Sequence, residues 1–72
     1  MIYLLSDMEI AIIKKIIKGK TNLEIARDLG INIHRVKYCI ATSSKKLKAR
    51  NRIDLAIKSV LYRIITKYPE NE

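Results

Sequence analysis

The chain has 72 residues, a hydrophobic fraction of 49%, a formal net charge of +8 and a sequence pI of about 9.9, so it predicts one small domain with a polyanionic partner. The single cysteine, Cys39, excludes an internal disulfide, and the single histidine, His34, leaves no zinc-binding set, so no metal or cofactor is predicted. No apolar run is long enough to span a bilayer and no signal peptide is recognisable, so we expect a reduced, cytoplasmic protein.

The first predicted helix covers residues 7–18. Ser6 and Glu9 form a capping box before it, in which each side chain can accept a hydrogen bond from a free backbone N–H group. Gly19 can end the helix, because glycine adopts the left-handed conformation readily. The apolar positions recur at steps of three and four and predict one buried face: Met8, Ile12, Ile13, Ile16 and Ile17.

Two further helices follow with a tight turn between them. A second capping box, which starts at Thr21, begins the helix predicted over residues 22–29. Gly30 can end it, and Asn32 can cap a longer helix over residues 33–48. Two helices joined by a short glycine turn are typical of a helix-turn-helix unit.

The third predicted helix has two faces of different chemistry. Its inner face is small or apolar: Val36, Ile40, Ser43 and Leu47. Its outer face is polar and basic: His34, Arg35, Lys37, Tyr38, Ala41 and Lys45. Between positions 29 and 53 the chain has seven Lys or Arg and no Asp or Glu. This charge predicts contact with nucleic acid; the alternative is a solvated basic face.

The fourth predicted helix covers residues 53–67. It carries an apolar stripe at steps of three and four: Ile53, Ala56, Ile57, Val60, Leu61, Ile64, Ile65 and Tyr68. The stripe is longer than so small a core needs, which favours a dimer with a second copy. We predict a dimer interface of six residues: Ile57, Val60, Leu61, Ile64, Ile65 and Tyr68. Just before this helix, Arg52 is read either as a phosphate contact or as a brace on the carbonyl groups that end the third helix.

Residues from Leu5 to Val60 resemble the LuxR/GerE family of DNA-binding domains. The resemblance rests on Leu5-Ser6 with Glu9, Lys20-Thr21-Asn22-Leu23-Glu24-Ile25-Ala26, Leu29, Ile31, Val36-Lys37, Lys46-Leu47, Arg52 and Ala56. It implies an all-α, four-helix helix-turn-helix domain over residues 1–72, of the stand-alone GerE type. It also implies a third helix that enters the major groove and a fourth helix that builds a homodimer. The family usually has Gly where Lys48 stands.

The same resemblance implies particular DNA contacts. Base contacts fall on Lys37, Tyr38 and Ala41, of which Ala41 can touch only an apolar feature such as a thymine methyl group. Backbone-phosphate contacts fall near Thr21, Asn22, Arg35, Lys45 and Lys46. From the residues themselves we add His34 to the base contacts, although its imidazole could donate to a phosphate instead. We also add Arg50 to the phosphate contacts, because it belongs to the basic run after the third helix.

These features predict a sequence-specific, homodimeric regulator of transcription that binds double-stranded DNA. The alternative is a protein-interaction module, or an antagonist, that uses the fourth helix to dimerise with another regulator or to bind RNA polymerase. Membrane-surface binding is disfavoured, because the longest apolar stripe and the strongest charge lie on different helices. No catalytic set of acids, histidine and nucleophile is present, so an enzyme is not predicted. Cys39 is read as a small buried side chain rather than a redox switch.

Overall fold

The computed structural model describes residues 5–62, and these form four α-helices with no strand among them. The helices are α1 (Asp7–Ile17), α2 (Asn22–Leu29), α3 (Ile33–Leu47) and α4 (Arg52–Leu61). The predicted all-α, four-helix class is therefore confirmed. The predicted continuation of the fourth helix to residue 67, with Ile64, Ile65 and Tyr68, lies outside the described residues.

Both predicted capping boxes are formed. At the start of α1, the Ser6 N–H donates to Glu9 Oε1 over 2.7 Å and the Glu9 N–H donates to Ser6 Oγ over 3.1 Å. At the start of α2, the corresponding distances between Thr21 and Glu24 are 2.8 and 3.2 Å. Each box satisfies two N–H groups that the helix itself leaves without a partner, so the start of each helix is set by four consecutive residues.

Two helices end in the same left-handed conformation with different residues. Gly30 closes α2 at φ 65°, and Lys48 closes α3 at φ 56°. Lys48 is the one non-glycine residue with positive φ in the described part of the chain. The end of α3 is secured by a 2.8 Å hydrogen bond from the Ala49 N–H to the Ser44 carbonyl, and Lys58 Nζ donates to the Lys48 carbonyl over 2.7 Å.

The core lies between α1 and α3, each of which packs against all the other helices. By contrast, α2 and α4 do not pack against each other within residues 5–62. The buried apolar residues come from every helix: Ile12, Ile13, Ile16, Ile25, Ala26, Val36, Cys39, Leu47 and Leu55. A fully buried Ile side chain contributes about 1.5–3 kcal/mol, so these aliphatic contacts hold α3 in a defined orientation.

Helix α4 enters the core through Leu55, which is fully buried and lies outside the apolar stripe that the sequence predicted. The hydroxyl of Ser59, one turn later on the same side, is also buried and donates to the Leu55 carbonyl over 2.8 Å. Three members of the stripe remain largely exposed: Ile53 at 70%, Ile57 at 51% and Leu61 at 68%. The stripe therefore covers little of this domain's own core.

Candidate nucleic-acid interface

The turn between α2 and α3 is held by backbone and side-chain hydrogen bonds. The Ile31 N–H reaches back to the Ala26 carbonyl over 3.0 Å, which Gly30 allows by its left-handed conformation. The Asn32 side chain then caps α3 by accepting from the His34 N–H over 2.7 Å. This short connection fixes the direction in which α3 leaves α2.

One face of α3 is tied into the core. Val36, Cys39, Ser43 and Leu47 are buried. The Ser43 hydroxyl donates to the Cys39 carbonyl over 2.7 Å, so a polar group is accommodated there without an unpaired donor. Cys39 is a free, buried cysteine, as predicted. Since this face cannot rotate outward, the opposite face must look away from the domain.

That opposite face, which we call the outer face of α3, consists of the six residues predicted from the helical spacing. All six are exposed: His34, Arg35, Lys37, Tyr38, Ala41 and Lys45. Tyr38 has 69% of its surface in solvent, although an aromatic ring of this size is normally buried to a large extent. The four predicted base-contacting residues therefore share one accessible surface.

The cations of the outer face are not neutralised by the domain's own acids. Arg35, Lys37 and Lys45 form no salt bridge within residues 5–62, whereas cations on other surfaces do. Lys15, for example, lies 3.4 Å from Asp28. The outer face consequently has positive charge available for an external anion.

The start of α2 supplies further donors. Its capping box satisfies the N–H groups of Thr21 and Glu24 and leaves those of Asn22 and Leu23 to solvent or to a ligand. The backbone hydrogen bond from the Thr21 N–H, followed by the contact with its hydroxyl, holds the pKa of the Glu24 carboxyl below its ordinary value. Thr21 itself is exposed and Asn22 is half-buried.

Lys46 forms a salt bridge with Glu9, whose carboxylate also takes part in the capping box of α1. Its Nζ lies 2.8 Å from Oε1 of Glu9, which is 3% exposed. The hydroxyl of Thr42 donates to the other Glu9 oxygen over 2.6 Å. Burial raises the pKa of the Glu9 carboxyl, but hydrogen bonds from Lys46, Thr42 and the Ser6 N–H outweigh burial and leave that pKa below its ordinary value. This link between α1 and α3 was missed in the sequence.

Arg50, in the connection after α3, is far more exposed than Lys46. Its Nε lies 3.7 Å from Asp54 Oδ2, and 85% of its side chain is in solvent. The Asp54 carboxylate also accepts the Arg50 N–H over 2.9 Å, and this backbone bond is the main cause that lowers the pKa of the Asp54 carboxyl. An ion pair in such an exposed position is weak, so the guanidinium can exchange it for another anion.

The predicted brace from Arg52 to the carbonyl groups at the end of α3 is wrong. Arg52 instead donates to the Lys20 carbonyl over 2.7 Å and to Oδ1 of Asn22, which places its guanidinium against the start of α2. The carbonyl at the end of α3 is reached by Lys58. The brace was predicted from the helix end nearest to Arg52 along the chain, whereas the fold brings the start of α2 to Arg52.

The predicted dimer surface is only partly described. Ile57 and Leu61 are exposed, and Val60 is half-buried. An open groove of about 490 Å³ runs between the end of α1 and α4, and apolar side chains form most of its walls: Ile16, Ile17, Ile53, Ala56, Ile57 and Val60. Within residues 5–62 no helix is both long enough and apolar enough to cross a membrane.

Residues 3–59 match the family described as bacterial regulatory proteins, luxR family (GerE). The chain belongs to this family. The matched range includes all of α1 to α3 and most of α4, so membership rests on the whole helix-turn-helix arrangement. LuxR-family domains are DNA-binding regulators of transcription and not enzymes. A search of curated proteins found no match.

Proposed function

We propose that this LuxR-family protein is a sequence-specific regulator of transcription that inserts α3 into the major groove of double-stranded DNA. The observation that carries the proposal is the outer face of α3, where Arg35, Lys37 and Lys45 are exposed and without a salt bridge in the described residues. A major groove about 12 Å wide admits an α-helix, and its base edges and phosphates offer the acceptors that these cations need. The protein would act in the cytoplasm.

In this arrangement each residue of the outer face is assigned either to a base contact or to a phosphate contact. The base contacts are assigned to His34, Lys37, Tyr38 and Ala41, which occupy the first three turns of α3. The phosphate contacts are assigned to residues around that face: Thr21, Asn22, Arg35, Lys45, Lys46 and Arg50. Among these, Lys46 is already paired with Glu9, so we expect it to contribute less than Lys45.

The protein would bind as a homodimer through α4. The exposed side chains of Ile57 and Leu61 support this part of the proposal, because isolated domains rarely leave a row of large aliphatic groups in water. Two copies related by a two-fold axis would place their α3 helices in successive major grooves, about 34 Å apart along the duplex. The operator would then consist of two inverted half-sites.

The experiment that tests the proposal is selection of bound sites from a random duplex pool, followed by two matched substitutions. Lys37→Ala should relax the preference at one base pair in each half-site, by about 1–3 kcal/mol of discrimination. Lys45→Ala, on the same helix and also exposed, should weaken binding to every sequence alike. Recovery of no common motif, or a loss of preference with Lys45→Ala only, would contradict the assignment.

A second function is favoured by the same exposed residues of α4. The domain could use Ile57 and Leu61 to join a different regulator or a subunit of RNA polymerase, as an interaction module or an antagonist. Molecular-mass measurement by sedimentation, without and with DNA, separates the two functions. A homodimer with a discrete DNA footprint supports the regulator, whereas a monomer that shifts no duplex supports the interaction module.

A further inference from the structure

We infer that Arg52 is a positioning residue for DNA binding, which orients the side-chain amide of Asn22 so that its NH₂ group is available to a phosphate. This inference rests on the proposed function. It concerns a residue that is distant from α2 in the chain and that would otherwise be counted among the phosphate-contacting cations after α3. The observation behind it is the pair of hydrogen bonds from one guanidinium to the Lys20 carbonyl and to Asn22 Oδ1.

The chemistry of the two groups determines which end of the Asn22 amide faces Arg52. A guanidinium has only donors, so the amide oxygen must be the atom that meets it. The amide nitrogen, Nδ2, is then directed away from Arg52 with its donors. In the described part of the chain the Asn22 side chain makes no other hydrogen bond. The NH₂ group of this amide is therefore available to donate a hydrogen bond to an acceptor outside the domain.

The hydrogen bond to the Lys20 carbonyl also holds the backbone just before α2. Lys20 and Asn22 flank Thr21, the cap of this helix, so the guanidinium contacts the residues on both sides of the cap. Since α2 and α4 do not pack against each other, this side chain is a direct bridge between the first residues of the two helices. Lysine could not replace it, because a single ammonium group cannot reproduce the planar fork.

A direct phosphate contact by Arg52 is the competing interpretation, and the two make different predictions. A residue that acts through Asn22 has little further effect on binding once the Asn22 amide is removed. A residue that contacts phosphate directly weakens binding whether or not the amide is present. Arg50 provides the matched control, since it is an arginine two positions away that does not touch Asn22 and is largely exposed.

The test is a double-mutant cycle, measured as the dissociation constant for a mixed-sequence duplex at several salt concentrations. Asn22→Ala and Arg52→Gln should each weaken binding by about tenfold, and the double variant should be within about twofold of either one. Arg52→Gln should leave the salt dependence unchanged, because no phosphate loses its counter-charge. Arg50→Gln should reduce the salt dependence, and its loss of affinity should multiply with that of Asn22→Ala when the two are combined.

A second variant tests the orientation of the amide without touching Arg52. Asn22→Asp keeps an oxygen for the guanidinium but replaces the donor by an acceptor, so urea unfolding should show no loss of stability while duplex binding falls further than with Asn22→Ala. If Arg52→Gln does not fold, Arg52→Lys takes its place in the cycle, because lysine keeps the positive charge but cannot reproduce the planar fork.

Several results would overturn the inference. If the losses of affinity caused by Arg52→Gln and Asn22→Ala multiply in the double variant, Arg52 acts independently of Asn22. If Asn22→Asp binds the duplex as well as the natural protein, the amide donor is not used. In both cases the proposed function would stand. If the natural protein binds no duplex at low ionic strength, the proposed function fails and this inference fails with it.

Discussion

Lys48 and Gly30 end their helices with nearly the same backbone angles, φ 56° and ψ 41° for Lys48 and φ 65° and ψ 37° for Gly30. A residue with a Cβ atom is disfavoured in this conformation by about 1–2 kcal/mol, whereas glycine adopts it freely. The Lys48 carbonyl accepts a hydrogen bond from Lys58 Nζ, which helps to hold this conformation. The end of α3 therefore stores a small strain that its neighbours hold in place.

Lys48→Gly should make the domain more stable. Removing the Cβ atom relieves the left-handed strain, and we expect the free energy of unfolding to rise by about 0.5–1 kcal/mol in urea titrations. Gly30→Ala is the reverse control, and it should lower that free energy by about 1 kcal/mol. An added Cβ at Gly30 meets nothing within 4 Å, so this loss would come from the backbone conformation alone. Equal stability of Lys48→Gly and the natural protein would refute the prediction.

Glu9→Gln should make the domain less stable and less sensitive to acid. Glutamine can accept from the Ser6 N–H and donate to the Thr42 hydroxyl, which reverses that second hydrogen bond, but it loses the charge that pairs with Lys46, so we expect a loss of about 1–2 kcal/mol near neutral pH. The folded pKa of Glu9 lies below its unfolded value of 4.5, so the charged form is favoured by folding. Its stabilisation is present above pH 4.5 and is lost as the pH falls through the lower folded pKa.

The measurement is urea unfolding of both proteins from neutral pH down to the range in which carboxyl groups protonate. The difference between natural protein and Glu9→Gln should shrink on the acid side. The pKa values of the Glu24 and Asp54 carboxyls are lowered too, so both proteins should still lose stability there. A difference that stays constant at every pH would mean that the Glu9 charge is not the source of the effect.

At the scale of single elements, α4 presents one apolar surface to the core and another to solvent. Leu55 and Ser59 face the core of the same chain, while Ile53, Ile57 and Leu61 face solvent. A helix with one apolar side for its own domain and a second for water is unusual unless the second side is covered by another molecule. The outer face of α3 shows the same separation between a core side and a surface side, with cations in place of aliphatic groups.

Ile57→Glu and Leu61→Glu should convert the proposed dimer into a monomer without unfolding it. Burying a carboxylate in an apolar interface without a partner is strongly unfavourable, whereas each side chain is already exposed within its own domain, at 51% and 68%. We expect the dimer dissociation constant to rise by at least about 100-fold in sedimentation experiments without DNA. Leu23→Glu is the control, because Leu23 is 52% exposed on α2 and should leave the dimer intact.

At the scale of the whole molecule, the net charge of +8 is distributed unevenly. Acids near α1, α2 and α4 pair with neighbouring cations, as in Lys15 with Asp28 and Lys58 with Asp54. The stretch that includes α3 contains no acid, and within residues 5–62 its salt bridges are those of Lys46 with Glu9 of α1 and of Arg50 with Asp54 of α4. The long-range field of the protein therefore comes mainly from the surface proposed to meet DNA.

Duplex binding by the natural protein should weaken linearly on a plot of log affinity against log salt concentration. If Arg35, Lys45 and Arg50 of each of two protomers neutralise one phosphate apiece, the slope should be about −5. Lys45→Ala should make it shallower by about two, since each dimer loses two contacts. A slope near zero would exclude phosphate neutralisation as the source of affinity.

Local features of the sequence determined much of this protein. The capping boxes of Ser6 and Thr21, the left-handed turn at Gly30 and the outer face of α3 all depend on residues within a few positions of each other, and helical geometry converts such spacing directly into structure. The LuxR family and the four-helix fold followed from the same local pattern. For this reason the predicted order of the first three helices agrees with the structure, and their predicted bounds agree to within one residue.

Only the tertiary structure decided which distant groups meet. Glu9 is separated from Thr42 by 33 positions and from Lys46 by 37, and Arg52 from Asn22 by 30, so no periodicity links them. The burial of Leu55 could not be predicted either. The side of α4 that faces the core depends on how the helix is placed against α1 and α3. Helical spacing specifies which residues share a face, but packing alone specifies what that face touches.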